Sequence, residues 1–302
     1  MLFKGDGSMS GFVSKEGKLV YEESYNEAMS FLPKPLESTL ISTNFGEVQL
    51  YKFQEDETPD NTPVLLLPGK GSATPMWGAN LNDFLKHRPV YTIDLIGEPG
   101  LSIETKRIQT EIDQALWLKQ VIEQLPEEEL NLLGLSFGGW SAANLAAKYP
   151  EKIQSLILIE PVYVFGSIPL KMILASIPAS VPAVPKSIRE RMLSYISGGA
   201  EIDENEPTAK LIETGMRTFK SKLPMPSQMQ AEQLSELKMP VLGVLAKQST
   251  MHQAEYAFQF GVENLRNPNS KMVLFENASH AINGEYPEEL LQTVEDFLSQ
   301  IE

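Results

Sequence analysis

Glu129-Leu130-Asn131-Leu132-Leu133-Gly134-Leu135-Ser136-Phe137-Gly138-Gly139-Trp140 is the stretch from which the rest of the chain is read. Its apolar run ends abruptly in Gly134-Leu135-Ser136-Phe137-Gly138, the spacing G-x-S-x-G, and the alanine-rich segment from Ser141 to Lys148 then has the composition of a helix. Strand, sharp turn and helix together lift a serine hydroxyl clear of a sheet edge, while Gly134 and Gly138 let neighbouring backbone pass closely. A helix starting just after Ser136 also aims unpaired N–H groups at any oxyanion formed there. A glycine-rich turn can be purely structural, but the flanking pattern points to Ser136 as a nucleophile.

Outward from this turn the sequence alternates buried-strand runs with helix-like segments. Val64-Leu65-Leu66-Leu67 and Gln154 to Ile159 are continuous apolar runs, as expected of parallel strands covered on both faces. Pro89 to Leu95, Val241 to Leu245 and Lys271 to Phe275 complete the parallel set, and Thr39 to Thr43 with Glu47 to Phe53 predict an antiparallel hairpin at one edge. Helices are predicted over Tyr21–Leu32, Trp77–Lys86, Gln109–Leu125, His252–Leu265 and Pro287–Ile301, the third with Ile112, Leu116, Val121 and Leu125 on one side. Residues 1–20 are polar and predict a loosely held arm. The rhythm breaks over 162–236, where prolines and five methionines (172, 192, 216, 225 and 229) occur without a convincing buried strand. The expected organisation is therefore an arm and helix over 1–36, an α/β core over 37–161 and 237–302, and an inserted helical cap over 162–236. The core is a doubly wound sheet of about eight strands, in which ligands bind beyond the carboxyl ends of the strands.

A serine hydroxyl needs a base, a group that orients the base, and donors for a developing oxyanion. His280 lies in Asn277-Ala278-Ser279-His280-Ala281, after the last strand and before the last helix, where a base is needed. His87, in Lys86-His87-Arg88, reads as a surface residue. The N–H groups of Phe137 and Lys70 are the expected oxyanion donors, with Pro68-Gly69-Lys70-Gly71 either such a loop or a simple glycine turn. No G-x-x-x-x-G-K-[ST] phosphate loop is present. The acid is harder to place. The loop after Val241–Leu245 reads Ala246-Lys247-Gln248-Ser249-Thr250-Met251 and holds no carboxylate, whereas Glu160 ends the run Leu156-Ile157-Leu158-Ile159. Either Glu160 supplies the acid, in the chain order Ser, Glu, His, or the acid is absent. Asp94 reads as pinning its own loop through backbone N–H groups.

Composition removes several classes. The 302 residues carry 25 Lys+Arg against 40 Asp+Glu, a net charge of −15, which disfavours nucleic-acid and anionic-membrane partners. With no cysteine, disulfides, thiolate catalysis and Cys-based metal sites are excluded, and the three histidines are not spaced as a metal pair. Nothing resembles a signal peptide or the ~18 consecutive apolar residues of a membrane span, so a cytoplasmic location is expected.

The pattern resembles the α/β-hydrolase superfamily from about residue 37 onward. Within it, the chain resembles bacterial carboxylesterases of the naproxen-esterase type. The resemblance rests on Tyr25-Asn26-Glu27, Ser42-Thr43-Asn44-Phe45-Gly46, Met76-Trp77 ahead of Asn80-Leu81, Asp94-Leu95-Ile96-Gly97-Glu98 with Ser102, and the serine turn itself. It implies ester cleavage through an acyl-enzyme without a cofactor. It further implies a helical cap over an apolar pocket, for which Gly69, Trp77, Met172 and Met216 are the candidates. Three positions depart from the family pattern. The usual His-Gly after the third strand is Pro68-Gly69, the Gly-His at the base is Ser279-His280, and the usual carboxylate after the seventh strand falls on Ser249. The expected substrates are small to medium carboxylic esters, with a thioester or a C–C bond open to the same serine chemistry. The rival expectation is a hydrolase-fold protein that binds a ligand or signals with weak or no turnover.

Overall fold

The computed structural model describes residues 9–172 and 206–302, with Pro185, Ser187, Ile188, Arg191 and Ser194 between them. In chain order the first half contains β1 (Gly11–Phe12), α1 (Lys15–Met29), β2 (Glu37–Thr43), β3 (Gly46–Phe53), β4 (Val64–Leu67), a 3-10 turn (Thr74–Trp77), α2 (Gly78–Leu85), β5 (Val90–Ile93) and β6 (Ile103–Glu104). Next come α3 (Glu111–Gln124), β7 (Leu130–Leu135), α4 (Phe137–Lys148) and β8 (Ile153–Ile159). The described remainder holds α5 (Pro207–Thr218), β9 (Phe219–Lys220), α6 (Ala231–Ser235), β10 (Val241–Ala246), α7 (Ala254–Asn264), β11 (Lys271–Phe275), α8 (Ile282–Glu285) and α9 (Pro287–Leu298). Within the stretch expected as a cap, residues 173–184, 186, 189–190, 192–193 (Met192 among them) and 195–205 lie outside the described residues, as do residues 1–8 of the arm.

The large sheet runs β11-β10-β8-β7-β4-β5-β3-β2, with β6 also paired to β3. Its strands are parallel from β11 to β5, and β3, β2 and β6 are antiparallel. Strand pleating sorts the apolar runs onto two cores. Leu65, Leu67, Leu132, Leu156 and Leu158 pack toward α3 and α4, while Val64, Leu66, Leu133, Ile157 and Ile159 pack with residues of α1, α2 and α9. The fold is therefore that of the α/β hydrolases, and its central strands direct their carboxyl ends to one edge.

Two expectations are corrected. The polar stretch before Tyr21 is not a loose arm where it is described. β1 pairs with β9, and α1 starts at Lys15 because Ser14 Oγ accepts the Gly17 N–H at 2.9 Å. The expected inward stripe of α3 holds at Val121 and Leu125, with Leu116 packed against the core, but fails at Ile112. Ile112 is exposed, and the buried residues are Gln114, Ala115, Trp117, Leu118, Val121 and Ile122. Both arise because tertiary contact, not local polarity, decides which helical face is covered. Among the described residues no helix is long and apolar enough to cross a membrane.

Candidate active site

Ser136 stands between β7 and α4 with φ 54° and ψ −115°, in the left-handed region that non-glycine residues avoid. The turn is over-determined by its neighbours. A Cβ on Gly138 would meet the Leu67 carbonyl oxygen at 2.2 Å, and one on Gly134 would meet the Gly138 carbonyl oxygen at 2.3 Å. Glycine at both places lets β4, β7 and the start of α4 pass within van der Waals distance. The Ser136 carbonyl accepts the Trp140 N–H, beginning α4, and the Ser136 N–H donates to the Ile159 carbonyl of β8.

The hydroxyl points at a histidine. Ser136 Oγ lies 3.0 Å from His280 Nε2, and His280 Nδ1 lies 2.9 Å from Glu160 Oε2. A carboxylate can only accept, so Nδ1 carries the proton and Nε2 is left to accept from the serine hydroxyl. His280 is held by its loop: Ser279 donates both its N–H and its hydroxyl to the Glu285 carboxylate, at 2.7 and 2.6 Å. Three loops from three strand ends thus bring Ser136, His280 and Glu160 together.

Glu160 follows β8 directly and also has a positive φ, 48°. Its side chain is fully buried. Burial pushes a carboxyl up, but the hydrogen bonds from His252 and His280 more than reverse this and hold it at about 2. Ala246 donates its N–H to Oε1 at 2.6 Å, and His252 Nε2 lies 2.8 Å from the same oxygen. Because the folded value is depressed, ionised Glu160 contributes stability that is complete above its ordinary value of 4.5 and is lost as pH falls toward about 2. The melting temperature of the wild-type protein should therefore drop more steeply through that window than that of Glu160→Gln. Parallel Tm–pH curves would show that the carboxylate is not held down in the fold. Burial pushes Asp94 and Glu98 up, which gives the opposite slope, but both are common to the two proteins.

Most N–H groups of the loop after β4 are already engaged among the described residues. Gly69 donates to Met76 Sδ at 3.4 Å, Gly71 to Glu98 Oε2 at 2.8 Å, and Ser72 to the Gly69 carbonyl at 3.2 Å. The Lys70 N–H, next to Gly69, is left without such a bond, as is that of Ala73 further from the serine turn. Gly69 lies against the serine, since a Cβ there would meet Ser136 Cβ at 3.5 Å. The Phe137 N–H is the first of α4 and has no carbonyl a turn earlier to bond. Asp94 does pin its loop, accepting from Thr74 N–H at 2.9 Å and Leu101 N–H at 2.8 Å.

The expected pocket residues are more dispersed. Trp77 is buried in the core with residues of α1 and α2, and its Nε1 has no partner among the described residues. Met172 is buried, with the Thr250 hydroxyl 3.8 Å from its sulfur, and Met216 is half-buried on α5. Ser249 joins neither histidine: its N–H donates to the Ala246 carbonyl and its hydroxyl accepts the Met251 N–H. His87 is half-exposed near Glu295, away from the site. Sequence reasoning missed His252, which it placed only as the start of a helix. Its position in the loop after β10, at the same sheet edge as His280, was the available signal. Among the described residues no group of three or more His, Asp or Glu could hold a metal.

Comparison with known proteins agrees with the fold. Residues 62–187 match a family model described as the alpha/beta hydrolase fold. The chain is 24% identical to carboxylesterase YbfK of Bacillus subtilis over 95% of its own length and 96% of that protein's. It is 32% identical to the carboxylesterase nap of the same organism over 145 residues, covering 48% of this chain and 47% of that one. The crystal structure of the B. subtilis naproxen esterase superposes with a TM-score of 0.84 at 23% identity, covering 94% of this chain and 99% of the other.

Proposed function

We propose that this chain, a carboxylesterase-like member of the α/β-hydrolase superfamily, cleaves small to medium carboxylic esters through an acyl-enzyme on Ser136. The observation that carries the reading is the continuous line from Ser136 Oγ through His280 to the anionic Glu160. In the first half-reaction His280 Nε2 takes the serine proton as Oγ attacks the ester carbonyl carbon. The Phe137 and Lys70 N–H groups receive the oxyanion, and His280 returns the proton to the departing alcohol oxygen as the C–O bond breaks. Water then attacks the acyl carbon with His280 again as base, releasing the acid and restoring the Ser136 hydroxyl. Glu160 stays ionised throughout and steadies the imidazolium that forms twice per turnover. No step calls for a cofactor. The two departures at Pro68-Gly69 and Ser279-His280 leave these donors and the base in place.

The ligand-binding alternative drew its support from the missing carboxylate at Ser249. A carboxylate 2.9 Å from His280 Nδ1 removes that support. The reading is tested by quenching p-nitrophenyl butyrate turnover in acid and digesting the protein. One butyryl group on the peptide that carries Ser136, preceded by a burst of p-nitrophenol, is the expected result. Turnover with the acyl group on another residue, or no turnover, would overturn it.

A further inference from the structure

The Glu160 carboxylate is shared by two imidazoles, and only one of them reaches the serine. His252 comes from the loop between β10 and α7, and its ring is almost completely buried. Its Nε2 lies 2.8 Å from Glu160 Oε1, and its Nδ1 has no partner among the described residues. Since Glu160 is anionic it can only accept, so Nε2 must carry the hydrogen. A protonated Nδ1 would leave an orphaned N–H in the interior, whereas a bare ring nitrogen is the less costly group to bury unpaired. The neutral Nε2–H ring therefore fits this place best.

The location of this ring matters as much as its tautomer. Glu160 reaches the site from β8 on a left-handed backbone, and its carboxylate could rotate about its last bond. The end of β10 prevents this. The Ala246 N–H and the His252 Nε2–H both bond Oε1, which turns Oε2 toward His280 Nδ1. The loop Ala246 to His252 holds no carboxylate of its own and supplies hydrogen-bond donors to a carboxylate from the neighbouring strand.

We infer that His252 is a positioning residue of the hydrolytic site: its neutral Nε2–H tautomer clamps one oxygen of Glu160 so that the other faces His280. This rests on the esterase reading above for its kinetic consequences, but not for its tautomer. The titratable groups that act on Glu160 from the packed elements are His252, from the β10–α7 loop, and His280, from the β11–α8 loop.

Two variants and one measurement on the wild-type protein test it. His252→Leu keeps the volume and removes the donor, whereas His252→Gln can place an amide N–H near the position of Nε2. The leucine variant should lose about tenfold to a hundredfold in kcat for p-nitrophenyl butyrate with KM nearly unchanged. The acid limb of its kcat/KM profile should move to higher pH, because a carboxylate with one donor fewer holds the His280 imidazolium more tightly. The glutamine variant should stay within about threefold of wild type with its acid limb in place. A leucine variant with unchanged kcat and acid limb would overturn the inference, as would a glutamine variant impaired as much as leucine. Long-range 1H–15N correlation spectra of the wild-type protein add a reading that needs no variant to fold. At neutral pH His252 should show a protonated Nε2 and a bare Nδ1, and a cationic ring or the opposite tautomer would sink the proposal. Wild-type turnover no faster than Ser136→Ala would overturn the esterase reading instead, with these spectra still deciding the role of His252.

Discussion

Ser136→Ala should lower kcat/KM for p-nitrophenyl acetate and butyrate by about 10⁴ or more, toward the rate of the uncatalysed reaction. The hydroxyl is the only group in the line that can form the acyl bond, so no neighbour can take over its step. What survives is polarisation of the bound ester by the Phe137 and Lys70 N–H groups, which a missing nucleophile leaves intact. Folding should change little. Alanine inherits the same positive φ at the turn, and the interaction lost is one hydrogen bond to His280, about 1 kcal/mol. The check is steady-state hydrolysis beside thermal unfolding of both proteins. A variant that keeps even a tenth of the wild-type rate would place the nucleophile elsewhere.

Glu160→Gln should lower kcat by about 10³ to 10⁴, for a reason that the surrounding donors dictate. Two donors, the Ala246 N–H and His252 Nε2–H, converge on Oε1. A glutamine must meet them with its single carbonyl oxygen, which turns its NH₂ group toward His280 Nδ1. Donor then faces donor unless the imidazole changes tautomer, and the other tautomer puts an N–H, not a lone pair, against the Ser136 hydroxyl. The base is lost without the serine or the histidine having been touched. The negative charge that steadies the imidazolium goes as well. Circular dichroism should show the fold retained, and hydrolysis of the same p-nitrophenyl esters reads the loss. Undiminished turnover would take Glu160 out of the reaction.

The two predictions differ in how far the sequence alone could have supported them. Ser136 is legible because its constraints are local. The strand, the two glycines and the helix all lie within a few residues of it, and a Cβ at either glycine collides with backbone. His280 is legible by position, because a loop after the last strand of such a sheet must end at the serine's edge. The strands of the central sheet are legible for the same kind of reason, since burial on both faces leaves an uninterrupted apolar run. By contrast α3 is an amphipathic helix whose register the sequence states weakly. Ile112 looks like an inward residue until the position of the sheet leaves it exposed. Trp77 illustrates the same limit in the site itself, since an aromatic residue near the oxyanion loop can pack in the core.

By itself, then, the sequence determined what short-range sterics and apolar periodicity determine: a serine turn, a buried parallel sheet, and a histidine at its edge. Only the tertiary structure shows which carboxylate meets His280. Glu160, Ala246, His252 and His280 are brought together from β8, β10 and β11 by the parallel register of those strands, not by any spacing along the chain. A buried carboxyl is ordinarily pushed toward its neutral form, and no local sequence signal shows that two distant imidazoles will reverse that. Folding supplies the donors that hold Glu160 as an anion.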